Sequence, residues 1–241
     1  KYSIYDLLRS RWSYVYFAFY LMLGFVLLFL NNDINKAVIT MMNIIIVLTP
    51  LIGTIFGVMY YYNSKEFTEL LLAQPIERNK IFLGQYLGIP FVLYGLFKSA
   101  AIFDFGLLIV VGSFLNFIFV ALAYNIALST ENKIKGFGYA ILMWLFLAVI
   151  YDGIFMISLM LFNEYPLDNF SLIATMLNPI DLSRILILLK LDISALLGYT
   201  GAVFKEFFGT NKGAILSFLV LCFWVLSPLL SIKRKLRKKD F

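Results

Sequence analysis

The residues that most often do chemistry in proteins are scarce in this chain. It contains no histidine and a single cysteine, so the usual general base and the usual ligands of zinc, haem and copper–thiolate sites are missing or alone. Cys222 lies in an apolar stretch, cannot form an internal disulfide and is expected to be inert packing. The phosphate-binding pattern Gly-x-x-x-x-Gly-Lys-Ser/Thr does not occur. The sequence therefore predicts no catalytic, metal or cofactor site in this chain, and no enzyme.

Three polar residues stand inside long apolar stretches. Asp152 is the only acid well inside such a stretch, between Tyr151 and Gly153. A carboxylate at that depth indicates either a functional group or a hydrogen-bonded residue at a seam between two copies of the chain, and both interpretations stay open. Asn116 and Asn125 share another apolar stretch and are expected to make hydrogen bonds between helices.

The polar stretch from Asn63 to Pro75 has the signals of a short helix. Asn63 is a suitable N-cap, and Glu66 follows three residues later, as in a capping box. Pro75 ends the pattern, because the residue before a proline avoids the helical region. One face of this helix is apolar and carries Phe67, Leu70 and Leu71. Such a helix either rests on lipid head groups or docks into a soluble partner.

Composition predicts a single all-α membrane domain over residues 1–241. The chain is 62% hydrophobic and 14% charged, with a mean hydropathy of +0.89, well beyond the balance of a soluble domain. Because a span needs about 20 residues, there is room for about six. Lys1 to Arg11, with aromatic residues close by, predicts an amphipathic elbow helix at the membrane interface. The predicted spans are about 12–30, 38–62, 81–97, 106–128, 137–162 and 214–232.

The distribution of basic residues predicts the orientation. Most of the 20 lysines and arginines fall near the two termini and in the polar connections at 63–80 and 129–136. By the positive-inside rule, both termini and these two connections are cytoplasmic. The net charge of +6 is therefore interpreted as a topology signal with some contact to lipid. Binding of nucleic acid is not predicted.

The stretch 163–212 is predicted to lie on the outer side of the membrane, opposite the cytoplasm, and to form short helices. Asn178, Pro179 and Asp181 have the order of an N-cap, a first helical residue and a first-turn acid. Apolar residues then follow at helical spacing. Two interpretations stay open: a re-entrant helix that covers the spans, or a docking surface for an outer partner. The candidate docking residues are Asn178, Pro179, Asp181, Leu182, Arg184 and Leu186.

Residues 63–88 resemble the first cytoplasmic loop of type-two ABC permeases, the exporter-type membrane subunits. The family pattern is (R/K)-E-x-x-(E/T)-L-L-L-(A/S)-x-P, followed by a basic elbow and a G-K-x-x-G step. This sequence departs from it at Gln85, where the family often has lysine. The resemblance implies a cytoplasmic coupling helix that receives the stroke of a separate ATPase, which would bind the ATP. The implied coupling residues are Lys65, Glu66, Phe67, Glu69, Leu70, Leu71, Pro75 and Arg78.

Residues 177–186 and 191–204 resemble the N-P-x-D-x-x-R and L-(S/A)-A-L-(M/L)-G-Y-T-G-A-V segments of NosY-like permeases, membrane subunits of nitrous-oxide-reductase maturation systems. This resemblance implies a homodimer in the bacterial inner membrane, two ATPase copies and a periplasmic copper-handling partner protein. Two alternatives stay open: an ABC exporter of a drug, lipid or other small solute, and a membrane scaffold that transports nothing.

Overall fold

The computed structural model describes residues 34–64, 106–190 and 201–238, together with a few isolated helical positions between 18 and 29. The predicted elbow helix, most of the span at 12–30 and the span at 81–97 lie outside the described residues. The described ranges form helices joined by turns and contain no strand. The helices are α1 (Ile34–Asn63), α2 (Gly106–Ser129), α3 (Lys133–Leu145), α4 (Tyr151–Leu161), α5 (Asp168–Leu177), α6 (Pro179–Lys190), α7 (Gly201–Phe208) and α8 (Asn211–Lys238).

Four apolar helical stretches in these ranges are long enough to cross a membrane. They are Ile39–Asn63, Val110–Ser129, Lys133–Leu161 and Lys212–Lys235. The third, called the α3–α4 span below, runs through α3, a π-helical segment (Phe146–Ile150) and α4. The helix direction changes by 114° from α5 to α6, and the two helices make a fifth candidate span if they are taken together. The expectation of an all-helical, multi-pass membrane protein is therefore confirmed, with four or five candidate spans in the described part of the chain.

Glycines bring α1 and α2 unusually close together. A Cβ placed on Gly53 would lie 2.6 Å from the Asn116 side-chain oxygen, and one on Gly57 would lie 3.1 Å from the Ala123 Cβ and 3.3 Å from the Val120 carbonyl oxygen. Two glycines four residues apart are a known means of close helix packing in membranes, because they let the backbones approach. In the sequence, the signal for this close packing is Gly-Thr-Ile-Phe-Gly at 53–57.

Helices α1 and α2 run parallel. Near their beginnings, Gly112 packs against the Ile45 side chain. Near their ends, the Tyr62 hydroxyl donates to the Thr130 carbonyl oxygen at 2.6 Å. Both helices therefore finish at the same end of the bundle, where α3 begins. We call it the basic end, because exposed lysine and arginine side chains of α3 and α8 gather there.

The α3–α4 span runs opposite to α1. At the basic end, the Lys133 ammonium group donates to the Asn63 side-chain oxygen at 3.0 Å. Further along α3, the Trp144 indole N–H donates to the Val47 carbonyl oxygen at 3.2 Å. Opposite directions are what the predicted topology requires of an even-numbered span and an odd-numbered one, here the second and the fifth.

Candidate functional site

The junction of α5 and α6, called the bent pair below, is built around Asn178. The Asn178 side-chain oxygen accepts the Ile180 N–H at 3.1 Å, and its carbonyl oxygen accepts the Leu182 N–H at 3.0 Å. Pro179 is the first residue of α6 and Asp181 lies in its first turn. The helix start therefore has the N-cap, proline and acid that the sequence predicts.

The break between the two helices leaves carbonyl groups at the end of α5 without intrahelical donors. Two side chains from other helices supply hydrogen bonds there. The Tyr151 hydroxyl donates to the Ala174 carbonyl oxygen at 2.7 Å, and the Trp224 indole N–H donates to the Met176 carbonyl oxygen at 3.2 Å. A break in the backbone is tolerated inside a membrane protein when neighbouring elements satisfy the freed polar groups.

Asn178 also ties the bent pair to the π-helical segment. Within that segment, the Tyr151 N–H donates to the Phe146 carbonyl oxygen, five residues back. The Asn178 side-chain amide donates to the Leu147 carbonyl oxygen at 2.8 Å and to the Asp181 carboxylate at 2.7 Å. A local π register often marks a functional position in a helix, because it disturbs the regular ladder and leaves backbone groups open to outside partners.

Arg184 joins two acids that are far apart in the sequence. Its Nη1 atom lies 3.3 Å from Asp152 Oδ2 and 3.6 Å from Asp181 Oδ1. The Asp152 and Arg184 side chains are 36% and 28% exposed, whereas that of Asp181 is 8% exposed. Along the helix axis, Asp152 lies roughly 13 Å from the C-terminal end of α4. We call Asp152, Asn178, Asp181 and Arg184 the polar cluster; it gives Asp152 an ionic partner within one chain.

The apolar face of α6 is not available to an outer partner in this structure. Leu182 and Leu186 are 0% and 6% exposed, because α6 packs against α1, α2 and α8. The expectation that these two leucines form an exposed docking surface is therefore wrong, and the burial agrees with the alternative of a helix that covers the spans. The exposed apolar side chains of the bent pair lie instead on α5 and are Phe170, Ile173 and Leu177.

The two asparagines of α2 have different surroundings. The Asn125 side-chain amide donates to the Pro228 carbonyl oxygen of α8 at 3.3 Å, which is a hydrogen bond between helices. Asn116 is 1% exposed and lies against Gly53 of α1. Its side-chain nitrogen and oxygen have no hydrogen-bond partner among the residues that the structure describes.

At the basic end, α1 is fastened to the connection between α2 and α3. The Tyr62 hydroxyl lies 2.6 Å from the Thr130 carbonyl oxygen and 3.4 Å from that of Asn132. Asn63, the last residue of α1, accepts from Lys133. The predicted coupling segment follows immediately in the chain. A displacement of its first residues would therefore also displace the start of α3.

Helix α8 is fastened to α2 at the same end. The Lys235 ammonium group donates to the Asn125 carbonyl and side-chain oxygens and to the Ser129 hydroxyl. Near the opposite end, the Phe114 and Phe218 rings are 6.0 Å apart. Helices α1, α2 and α8 are therefore parallel, and the α3–α4 span is antiparallel to them, which is the alternation predicted for spans two, four and six against span five.

The predicted coupling residues lie outside the described residues; they are Lys65, Glu66, Phe67, Glu69, Leu70, Leu71, Pro75 and Arg78. A scan against protein-family models and a search of curated proteins found no match for this chain.

Proposed function

We propose that this chain is the membrane subunit of an ATP-driven ABC transporter of the exporter type. The resemblance of residues 63–88 to a coupling loop motivates the proposal. A separate ATPase would bind the coupling helix and hydrolyse ATP, and the permease would convert its stroke into transport or mechanical work across the inner membrane.

One observation carries the proposal beyond the motif: the predicted coupling segment begins at a mechanically connected point. The last two residues of α1, Tyr62 and Asn63, are bonded to Thr130 and Lys133. A displacement of the segment after Ser64 would therefore act on α1 and on the α3–α4 span together. Since α6 packs against α1, the same displacement also reaches the bent pair at the other end of the bundle.

Six spans are part of this proposal. Helices α1 and α2 both finish at the basic end, so the chain between 64 and 106 has to return to the other end, as the predicted span at 81–97 would do. With a further span at 12–30, both termini are cytoplasmic. The subunit would work as a homodimer with two ATPase copies.

The resemblance of the bent pair to NosY-like permeases supports a narrower proposal. The work of the transporter would serve assembly of the copper site of nitrous oxide reductase through a periplasmic partner protein. Because the apolar face of α6 is buried, contact with that partner would involve the exposed apolar side chains of α5 and not Leu182 or Leu186.

Co-purification with a candidate ABC ATPase from the same organism tests the proposal. Phe67 and Leu70 share the predicted apolar face, and burying such side chains is worth roughly 1.5–3 kcal/mol each. Phe67→Ala alone should weaken the complex about tenfold or more, and replacing both residues by alanine about a hundredfold or more, since about 1.4 kcal/mol is a factor of ten. The double replacement should also reduce the ATPase activity that depends on the permease. Leu72→Ala is the matched control, because Leu72 falls on the opposite side of the predicted helix.

Two results would contradict the proposal. One is the absence of any co-purifying ATPase with the unchanged chain. The other is equal capture and equal ATPase activity for the double variant, the Leu72 control and the unchanged chain, as a helix resting on lipid would give.

A further inference from the structure

The α3–α4 span is the least packed of the four candidate spans. Only 6% of its apolar stretch is buried against the rest of the chain, whereas 22% to 61% of the apolar stretch is buried in each of the other three candidate spans. Apolar packing therefore fixes its position weakly, and individual polar and ring contacts decide where it lies.

In α3, these contacts go to α1. Ala140 shares a small buried cluster with Val58, and the Trp144 indole N–H bonds to the Val47 carbonyl oxygen. This half of the span is therefore bound to the helix that leads into the predicted coupling segment.

In α4, the contacts go to the bent pair. Asp152 pairs with Arg184 of α6 at 3.3 Å. The Tyr151 hydroxyl donates to the Ala174 carbonyl oxygen of α5 at 2.7 Å. The Phe155 ring is 6.3 Å from the Phe170 ring of α5. The other half of the span is therefore bound to a different element, and the change of partner falls at the π-helical segment.

A π-helical segment is a natural place for a helix to bend, because its hydrogen-bond register is already disturbed. We propose that the α3–α4 span is a two-part lever: α4 moves with the bent pair, α3 moves with α1, and the Asp152–Arg184 ion pair is the charged contact among those that hold α4 to the bent pair. A charge pair suits this task, because two charges in an apolar setting attract strongly when they touch and are costly when they separate.

Cysteine pairs in the full chain, in membrane vesicles and with Cys222→Ala, test the lever. Phe155→Cys with Phe170→Cys reports contact between α4 and α5. Val58→Cys with Ala140→Cys reports contact between α1 and α3. Adding Asp152→Asn should slow disulfide formation in the first pair by about fivefold or more, the lower end of typical couplings between sites, and leave the second pair unchanged within about twofold.

Two variants serve as controls. Asp152→Glu keeps the charge and should preserve the rate in the first pair. Ser158 lies on the same helix, and among the described residues its hydroxyl bonds to the Ile154 carbonyl oxygen of that helix alone, so Ser158→Ala should change neither rate.

Three results would overturn the proposal. If Asp152→Asn leaves the first pair unchanged, the ion pair does not hold α4. If both pairs slow equally while the chain keeps its elution volume in detergent, the span moves as one rigid rod. If Asp152→Glu, which keeps the charge, slows the first pair as much as Asp152→Asn does, the charge is not what holds the contact.

Discussion

Gly136→Ala is expected to loosen the connection between α1 and α3. Gly136 is buried in the first turn of α3, with the Tyr62 ring against it. A Cβ at this position would lie 2.8 Å from the Cε2 and Cζ atoms of that ring, which is too close for carbon atoms. The ring has to swing away, and its hydroxyl then leaves the Thr130 carbonyl oxygen that it now reaches at 2.6 Å.

The expected magnitude combines three contributions. The lost hydrogen bond costs about 1 kcal/mol, and the crowding costs about 1–3 kcal/mol. The higher helix propensity of alanine offsets up to about 1 kcal/mol. The net expectation is a loss of roughly 1–4 kcal/mol in the free energy of unfolding. Gly138→Ala is the matched control: its Cβ would meet nothing within 4 Å, so it should leave stability unchanged or raise it by up to about 1 kcal/mol.

Thermal unfolding of the purified chain in detergent, followed by tryptophan fluorescence, measures both effects. The decisive comparison is the order of the two midpoints. If Gly136→Ala were as stable as Gly138→Ala, the contact of Tyr62 with Gly136 would not bear on stability. Adding Tyr62→Phe should cost little more in the Gly136→Ala background, because the hydroxyl bond is already lost there.

Two further predictions concern the topology and the bent pair. In intact cells that express the chain with Cys222→Ala, an impermeant thiol reagent should label the exposed position Glu164→Cys. The same reagent should label Glu131→Cys only after the cells are lysed. The reverse pattern would mean that the chain has the opposite orientation. Asn178→Ala should lower the free energy of unfolding by about 3 kcal/mol, since it removes a cap worth about 1 kcal/mol and two further hydrogen bonds, one to a carboxylate. The exposed Asn169→Ala should change it by less than about 0.5 kcal/mol, and equal effects of the two variants would show that neither the cap nor the other Asn178 hydrogen bonds stabilise the fold.

Features that depend on local sequence could be predicted well. The spans follow from runs of apolar residues, and the predicted 106–128 and 38–62 agree with α2 and α1 to within a few residues at each end. The start of α6 follows from the adjacent Asn178 and Pro179, because capping needs only neighbours in the chain. These properties are set within a few residues, so a single sequence contains them.

Features that depend on what packs against a segment could not be predicted in the same way. Helix α5 begins without a side-chain cap, so no start signal marked it. Leu182 and Leu186 have the spacing of an apolar face, but the spacing does not say whether protein or another surface covers that face. The Asp152 partner was also missed, because Arg184 is brought to it by the angle between α5 and α6, which no local pattern contains.

The spacing of the polar residues in α6 explains why a capped helix start and an intramembrane ion pair occur together. Asn178, Asp181 and Arg184 are three residues apart in turn, so they lie along one side of the helix beginning. Asn178 caps the start of α6 and donates to the Leu147 carbonyl oxygen, and Arg184 forms the ion pair with Asp152. An isolated charge at the centre of a membrane span costs about 2.5–3.5 kcal/mol. Asp152 is therefore compatible with its span only while α6 begins where it does. The helix break and the charge in the neighbouring span depend on each other, so a change that moves α6 also changes the stability of α4 in its present position.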